Sequence, residues 1–503
     1  MATERKLKMT DTAEIGTKSL KRDVLVRLIQ AYLSDNFPEN TRMIPYDMRP
    51  KGSEVPFRCC IYKERAILRA RTIAGLGFSI EEDNESALLS DYARRSITRA
   101  APEENPLTVI ESACKGCPPS RCYVTDLCQN CVARPCMKTC RFKAISHTDG
   151  RSHIDSDLCK KCGLCVGACP YGAILKTVVP CENACPVEAI SKDDTGFARI
   201  DADKCISCGK CVTACPFGAV HAKSQVIDVL RHIREGNEVI ALMAPALVGH
   251  FPGTAGHIKV ALQKIGFADA YEVAQGADIT AQTEAGDFQD RLKKGAPFMT
   301  TSCCAAYNEW VKKHLPEIKP FASDARTPLH YTAERAREKH PRATLVFLSP
   351  CFAKRKEVAD SPHVQYVLNF EELGAIFIAM DIQIEAGAPA AFAHQSSAEA
   401  RAFPLSGGVA RAVCAAWRGE PDAIKPVVIN GLTKASIREL KMCAQTGRCP
   451  SGNLIEVMSC EGGCIGGNAG LEPLKTAAQK ITDYSEQAHS LTSPTNTAAA
   501  KKE

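Results

Sequence analysis

The sequence lacks several features that would define other classes of protein. No run of about 18 apolar residues occurs in its 503 positions, which predicts no membrane-spanning helix. The stretch from Met1 to Lys21 is polar and charged, without the apolar core of a secretory signal. The net charge of +6 is small for this length and does not indicate nucleic-acid binding. No Gly-x-Gly-x-x-Gly follows a predicted strand, so a nicotinamide or flavin domain is not indicated. These absences favour a globular protein of the reducing cytoplasm.

Cysteine, in contrast, is abundant and clustered. The chain has 27 cysteines, and 17 of them lie between Cys114 and Cys215. A disulfide framework would go with a secretory signal and a small domain that is poor in apolar residues. The total is odd, however, and cysteines two or three residues apart are poorly placed to pair with each other. They are well placed to surround one metal centre, so the pattern predicts metal binding.

Two segments match the bacterial ferredoxin motif Cys-x2-Cys-x2-Cys-x3-Cys-Pro. Each continues with Gly-Ala-Ile or Gly-Ala-Val, so the two form an internal repeat. Three close thiolates hold three corners of a 4Fe–4S cluster, and the fourth cysteine binds the neighbouring cluster. Zinc ribbons lack the third close cysteine. The eight predicted ligands are Cys159, Cys162, Cys165, Cys169, Cys205, Cys208, Cys211 and Cys215.

The other cysteines of this region extend the pattern. They form a third run with a longer gap, a half run, and an upstream group: Cys128, Cys131, Cys136 and Cys140, then Cys181 and Cys185, and Cys114, Cys117 and Cys122. This set suffices for two further clusters and one spare ligand, so we expect two to four 4Fe–4S clusters. Two pairings stay open. Either the runs that begin at 128 and 159 pair with each other, or the runs that begin at 159 and 205 pair around the inserted half run.

Three cysteine motifs lie in the C-terminal half, at Thr301–Cys304, Ser349–Glu357 and Glu456–Gly467. Each follows an apolar, strand-like run and precedes a helix-like one, and ligand sites of open α/β folds lie at such strand ends. Glycines in the third motif allow the backbone to approach a ligand closely. Four cysteines from three such loops could hold one more cubane. The alternative is that these cysteines are buried and chemically inert. That interpretation suits Cys414 better than the cysteines of the three motifs.

The three motifs resemble, in order, the signature motifs of the FeFe hydrogenases, and the resemblance covers roughly residues 110 to 475. It implies an H-cluster, which is a 4Fe–4S cubane joined by a cysteine thiolate to a two-iron unit with CO, cyanide and azadithiolate. The implied cubane ligands are Cys304, Cys351, Cys460 and Cys464, of which Cys464 would also bridge to the two-iron unit.

The same resemblance implies roles for residues around that cofactor. Lys354 would hydrogen-bond a cyanide, while Arg355 and Lys356 beside it are expected to be solvated. Met458 would lie near the bridging carbonyl. Cys303 would be the thiol that passes protons to the azadithiolate amine.

A proton path is implied as well. Glu284 would be its inner carboxylate, and Ser323 would supply a hydroxyl between two carboxylates. Asp287 stands where the family usually has a second glutamate.

Several positions depart from the family pattern. Ala305-Ala306-Tyr307 replaces Pro-Gly-Trp, and Ala246, Leu329 and Ser349 replace a serine, a glutamine and a methionine. These changes remove polar or sulfur side chains from the surroundings of the cofactor, which tune its potential and rate. They resemble a monomeric branch of the family that carries Thr-Ser-Cys-Cys-Ala-Ala-Tyr, and they leave catalytic direction and oxygen tolerance open.

The expected architecture has three parts. An α/β catalytic domain of two lobes, with the cofactor between them, would span 223–484. An α+β ferredoxin-like domain would span 108–222. Residues 1–107 would form a helical region of unknown role, with helical segments at 21–33 and 58–74, and residues 485–503 a disordered tail.

The expected function is reversible H2 oxidation and proton reduction, with electrons relayed through the 4Fe–4S clusters to or from ferredoxin or a similar small carrier. Maturation machinery would supply the two-iron unit, and no nucleic acid or membrane would be bound. A non-catalytic assembly-type relative is one alternative, but such relatives lose the double cysteine and the lysine that are present here as Cys303 and Lys354. A hydrogen sensor is another, although the appended sensory domain usual in sensors is not evident.

Overall fold

The computed structural model describes residues 15–52, 56 and 58–491. Within these residues, no helix combines the length and apolarity that are needed to cross a bilayer.

Four helices form the N-terminal region: α1 (Ile15–Leu33), α2 (Phe37–Met48), α3 (Ile61–Gly75) and α4 (Leu89–Thr98). The two predicted helical segments correspond to α1 and α3. Leu28, Ile29 and Ile73 are fully buried in one apolar cluster that continues into the C-terminal half of the chain. The region therefore folds against the rest of the protein rather than as a separate body.

The cysteine-rich unit consists of short strands and one-turn helices. They are β1 (Leu107–Val109), β2 (Arg121–Val124), α5 (Pro135–Thr139), β3 (Ile145–Thr148), β4 (Arg151–Ile154), α6 (Leu164–Ala168), β5 (Ile174–Thr177), α7 (Pro180–Ala184), β6 (Ile190–Lys192), β7 (Ala198–Ile200), α8 (Lys210–Ala214) and β8 (Val220–Ala222). Each of the four helices is followed directly by a cysteine, namely Cys140, Cys169, Cys185 and Cys215. The internal repeat therefore has four copies, not two.

The four copies are nested. Strands β1 and β8 pair antiparallel, as do β6 and β7, and these ribbons form an outer unit. Strands β2 and β5 pair antiparallel across Arg121 and Thr177, and with the β3–β4 hairpin they form an inner unit. The inner unit is thus inserted into the outer one, between Cys117 and Cys181.

The C-terminal half is an α/β domain. Its elements are α9 (Val226–Arg234), β9 (Val239–Met243), α10 (Ala246–His250), α11 (Ala255–Ile265), β10 (Asp269–Glu272), α12 (Ala274–Lys293), β11 (Met299–Thr300), α13 (Ala305–His314), α14 (Pro328–Lys339), β12 (Thr344–Ser349), α15 (Lys354–Ala359), β13 (Tyr366–Asn369), α16 (Phe370–Ala379), α17 (Ala398–Arg401), α18 (Gly408–Ala416), β14 (Pro426–Asn430), α19 (Lys434–Thr446), β15 (Leu454–Met458) and α20 (Leu474–Glu486).

Two parallel sheets organise this domain. One has the strand order β10-β9-β12-β13, and the other has the order β11-β15-β14. Every residue of β9 and β15 is buried, which explains the uninterrupted apolar run of β9 and the apolar residues on either side of Glu456 in β15. Strands β11, β12 and β15 lead directly into the three cysteine motifs, so all three motifs lie at the carboxyl ends of parallel strands.

The tail differs from expectation. Residues 485–491 are ordered, because the His489 carbonyl accepts a hydrogen bond from the Ala398 amide at 2.8 Å and Leu491 is buried. The rest of the predicted disordered tail, residues 492–503, lies outside the described residues. The Ser/Thr/Ala-rich composition gave no signal for this local docking onto α17.

Candidate metal centres

Four thiols from three loops converge between the two parallel sheets. Cys304 immediately precedes α13, Cys351 follows β12, and Cys460 and Cys464 follow β15. Burial raises the pKa of Cys464 to about 12 and that of Cys351 to about 11, and the charge of the Cys304 thiolate adds to the effect in both cases. All four are free cysteines. Thiols crowded in this way are stable as thiolates only if a metal offsets their charge, so the donor set fits a buried 4Fe–4S cubane.

Glycine is required where the third loop turns. Gly463 has φ of +85°, and a Cβ there would lie 2.5 Å from the Pro404 carbonyl oxygen. Any other residue would therefore displace the loop that holds Cys460 and Cys464.

Lys354 faces the same thiols from the first turn of α15. Burial works against its charge, but Glu357 and the thiols of Cys351 and Cys464 more than offset this effect, and the pKa of Lys354 is raised. Its ammonium forms an ion pair with Glu357, whose other oxygen accepts a hydrogen bond from the Thr327 hydroxyl at 2.6 Å. The side chain is thus a fixed, charged donor beside the four thiols.

The expectation for the two basic neighbours of Lys354 was partly wrong. Arg355 is buried, and its Nη2 donates to both Glu372 oxygens at 2.7 and 2.8 Å. Its position on the inner face of α15, opposite a glutamate of α16, could not be read from local sequence. Lys356 pairs with exposed Glu104 at 2.7 Å, at the protein surface.

Cys303 is separate from the four-thiol set and faces a carboxylate. Burial, and then the charge of Glu284, raise the pKa of the Cys303 thiol well above its ordinary value, which keeps it protonated. Glu284 is fully buried on α12, and its Oε1 accepts a hydrogen bond from the Ser302 amide at 3.1 Å. Its buried Oε2 forms no hydrogen bond of ordinary length among the described residues, although the Ser323 hydroxyl lies near enough to act on the pKa of the carboxyl.

The remaining predicted proton-path residues continue outward from Glu284. Ser323 is buried, and its Oγ accepts a hydrogen bond from the Ala325 amide at 3.1 Å. Asp287, about a quarter exposed, pairs with Arg291 at 2.8 Å. Sequence reasoning missed Arg291, although its spacing of four residues from Asp287 on a helix is a recognisable signal.

We expect Glu284 to titrate near neutral pH. Burial raises the pKa of Glu284 to about 7, against the lowering effects of the Ser302 amide and the Ser323 hydroxyl. Its carboxyl should therefore be neutral below about pH 7 and charged above it. Infrared difference spectra should show a protonated-carboxyl band with a midpoint near pH 7 that is missing in Glu284→Gln and unchanged in Asp290→Asn, on the exposed side of α12. A midpoint near the ordinary glutamate pKa would contradict the burial of this group.

Two other motif residues lie close by. Met458 is buried at the end of β15, in the same apolar cluster as Cys303. Glu456 is also buried, and its oxygens accept hydrogen bonds from the Gly407 and Ala410 amides at 2.7 and 2.8 Å. It thereby caps the start of α18, a role that the sequence did not show.

The inner unit brings together two sets of cysteines. One cavity is lined by Cys128, Cys131, Cys136 and Cys169. A second cavity is lined by Cys159, Cys162, Cys165 and Cys140, and also by Cys122. Each set combines three cysteines of one run with the last cysteine of the other, so the runs that begin at 128 and 159 pair with each other. Cys122 lies on strand β2 and not after a short helix, which makes it the spare thiol.

The outer unit brings together two further sets. Cys205, Cys208, Cys211 and Cys185 line one cavity. The remaining cysteines, Cys114, Cys117, Cys181 and Cys215, lie in the same packed cluster as most of that set, and Cys114 and Cys215 act on the pKa of Cys181. The half run and the upstream cysteines thus make up one ferredoxin run that the inner unit interrupts.

The outer unit contacts the four-thiol site directly. The Asn468 side-chain amide donates to the Cys208 carbonyl at 2.8 Å and lies 3.9 Å from the Cys460 sulfur. Phe352 packs against Gly209, where a Cβ would collide with its ring. The set that contains Cys208 is therefore next to the four-thiol site.

Comparisons with known proteins agree with this geometry. Residues 237–468 match the family model of the iron only hydrogenase large subunit, C-terminal domain. Residues 152–175 match a 4Fe-4S binding domain, and residues 176–226 match the LdpA Fe-S cluster-binding domain.

Curated relatives point the same way. The chain is 28% identical over 412 residues to the NADP-reducing hydrogenase subunit HndD of Solidesulfovibrio fructosivorans, which covers 69% of this chain and 62% of that protein. It is 27% identical over 303 residues to the periplasmic Fe hydrogenase large subunit of Nitratidesulfovibrio vulgaris, covering 49% and 72%. The match thus spans less than two thirds of HndD. A variant of FeFe-hydrogenase HydA1 from Chlamydomonas reinhardtii aligns with TM-score 0.46 and 17% identity, over 56% of this chain and 94% of that chain.

The domain that matches this hydrogenase model is the α/β domain with its parallel sheets and four converging thiols, and it is joined to a 4Fe–4S binding region and a helical N-terminal part. Residues 237–468 are therefore similar to the C-terminal domain of the iron-only hydrogenase large subunit, and this match covers slightly less than half of the chain.

Proposed function

We propose that this protein is an FeFe hydrogenase that catalyses reversible H2 oxidation and proton reduction. The observation that carries the proposal is the pairing of a buried four-thiol site with a separate protonated thiol, Cys303, that faces the buried carboxylate of Glu284. A purely structural or electron-transfer cluster needs the four thiols but has no use for this second arrangement.

In this proposal Cys304, Cys351, Cys460 and Cys464 would hold the H-cluster. When bound, the cofactor would supply the metal chemistry of H–H cleavage. Lys354 would anchor its anionic ligands, because a fixed ammonium in a buried site is a strong donor. Met458 would shield the cofactor from water.

Oxidation of one H2 releases two protons and two electrons, and the chain offers a separate route for each. Protons would pass from the Cys303 thiol to Glu284, and on past Ser323 to Asp287 at the surface. A carboxyl with a pKa of about 7 exchanges protons readily at neutral pH. Electrons would leave through the contact that Asn468 makes between Cys460 and the Cys208 loop.

The relay in this proposal has four 4Fe–4S clusters, one for each set of four cysteines. The set with Cys208 is next to the active site. The two inner sets are the most distant from it in the order of the relay. Large apolar side chains are exposed around the inner sets, among them Val132, Leu127 and Tyr171. Such a patch would suit ferredoxin or a similar small electron carrier.

Two further parts of the proposal concern maturation and the oligomeric state. Maturation machinery would deliver the two-iron unit, and the chain would act as a monomer of the branch that carries Ala305-Ala306-Tyr307. Sedimentation of the matured protein checks the second point.

Anaerobic maturation followed by infrared spectroscopy tests the function. The matured chain should show CO and cyanide stretching bands, gain two irons over the unmatured chain, and catalyse H2 uptake and evolution. The unmatured chain, with its cubanes but without the two-iron unit, is the matched control. A chain without those bands after maturation would be a non-catalytic relative, and the proposal would fail.

A further inference from the structure

Arg71 of helix α3 is a buried cation with unused donors. It is only 1% exposed, and its Nε and Nη1 atoms have no hydrogen-bond partner among the described residues. Its Nη2 makes long contacts of 3.4 and 3.5 Å to the carbonyl oxygens of Phe217 and Gly218. A guanidinium in such a position is costly unless a negative group offsets it.

The surroundings of Arg71 are two loops that hold cluster ligands. Phe217 and Gly218 belong to the turn after Cys215, and the Ala219 amide of that turn donates to the Cys215 sulfur at 3.4 Å. The neighbours of Arg71 on α3, Ile67 and Ala70, pack against Cys114 and Cys215. The negative charge that acts on Arg71 is that of the Cys215 thiolate, whereas Arg58 repels it.

Two more cations from the N-terminal region reach the same place. Arg58 donates to the Ala113 carbonyl at 3.3 Å and to the Phe217 carbonyl at 3.2 Å. Lys21 of α1 is buried and donates to the Val220 carbonyl at 3.3 Å. Three positive side chains, each from a different segment, therefore cover one end of the set formed by Cys114, Cys117, Cys181 and Cys215. We call these three residues the cationic wall.

A 4Fe–4S cluster with four thiolate ligands fits this wall. It is an anion whose negative charge grows on reduction, and its sulfur atoms accept hydrogen bonds from nearby donors. Charges interact strongly inside a protein, so a buried cation stabilises the reduced cluster more than the oxidised one. The reduction potential of the cluster rises as a result.

We propose that the N-terminal helices complete the cluster site of Cys114, Cys117, Cys181 and Cys215, with Arg71 donating to the cluster and the cationic wall raising its reduction potential. The role of the N-terminal region is then electrostatic control of one step in the relay. Cys181 of this set lies close enough to Cys211 to act on its pKa, so the tuned cluster is the neighbour of the one beside the active site. An electron would rest there between transfers.

A redox titration of the full chain with its relay clusters, followed by electron paramagnetic resonance, tests the proposal. Arg71→Gln should shift the reduction equilibrium of one cluster at least tenfold towards the oxidised form, which is 59 mV for one electron. Arg71→Lys, which keeps the charge, should retain most of the native potential. The matched control is Arg65→Gln on the same helix, because Arg65 donates to the Arg49 carbonyl and lies over the Tyr46 ring, away from the cluster ligands.

The cluster concerned is identified by its altered signal in Cys117→Ser. An unchanged set of potentials in an Arg71→Gln protein with full iron content would overturn the proposal, as would an equal shift in Arg65→Gln. If Arg71→Gln does not take up iron, Arg58→Gln tests the proposal in its place. The midpoint potential of the same cluster should fall in this variant, and an unchanged midpoint potential would contradict the role of the cationic wall.

The proposal rests on the four-cluster relay but not on hydrogenase activity. The titration requires neither the two-iron unit nor turnover, so a failure to make H2 leaves it intact. If the native chain and Cys117→Ser bind the same amount of iron and give the same signals, the fourth cluster is absent and the wall has no target.

Discussion

Replacing Cys303 by alanine is expected to lower H2 turnover in both directions by about 10²–10⁴-fold, while the iron content stays unchanged. Cys303 is buried and protonated, and it faces Glu284 without being one of the four converging thiols. Alanine removes the proton carrier but none of the proposed metal ligands. Activity assays together with iron counting and infrared spectra of the matured variant measure the effect.

Two matched cysteine variants make this result specific. Cys414→Ala, at a half-buried position on α18, should leave turnover unchanged, because Cys414 belongs to neither site. Cys304→Ala should instead lose the irons of the cubane along with all activity. If Cys303→Ala kept turnover within about threefold of the native rate, protons would have to leave by another route.

Replacing Lys354 by methionine is expected to lower the free energy of unfolding by about 3 kcal/mol and to abolish retention of the two-iron unit. The side chains of Lys354 and Glu357 are only 12% and 21% exposed, so the substitution leaves the Glu357 carboxylate largely buried without its counter-charge. Urea unfolding of the unmatured protein under anaerobic conditions measures the first effect. Infrared bands after maturation measure the second.

A double variant separates stability from function. Lys354→Met combined with Glu357→Gln removes the unpaired charge and should recover most of the lost stability, but it should not recover the infrared bands. Lys356→Met is the matched surface control, and it should leave the free energy of unfolding nearly unchanged because Glu104, its partner, is 84% exposed. Recovery of the bands in the double variant would show that Lys354 only neutralises Glu357.

The sequence predicted the parts of the protein that depend on short spacing. Three cysteines close together must wrap one centre, and apolar runs that end in cysteine motifs predict strand ends, so the four-thiol site could be anticipated from Cys304, Cys351 and the third motif. Two helices of the N-terminal region, α1 and α3, were also predicted from local sequence. Each of these features depends on residues that are close together in the sequence, so no knowledge of tertiary contacts is needed to predict it.

Features that depend on tertiary contact could not be anticipated. The pairing of Cys117 with Cys181 crosses the whole inner unit, and nothing in either segment indicates the partner. Arg355 was expected to be solvated like Lys356, yet its ion pair with Glu372 of α16 buries it. Arg71 lies in an arginine-rich helix whose sequence indicates no function, and only the tertiary structure places it beside the turn after Cys215.

The nested arrangement of the two units has a consequence for the order in which the protein matures. Cys117 and Cys181 belong to one ligand set, and an unfolded segment between them would oppose their approach through its chain entropy. Folding of the inner unit removes that cost, because the Arg121–Thr177 pair of β2 and β5 brings its two ends together. The chain emerging during synthesis would therefore load the two inner clusters first, and the inner unit acts as an intramolecular template on which the outer site closes.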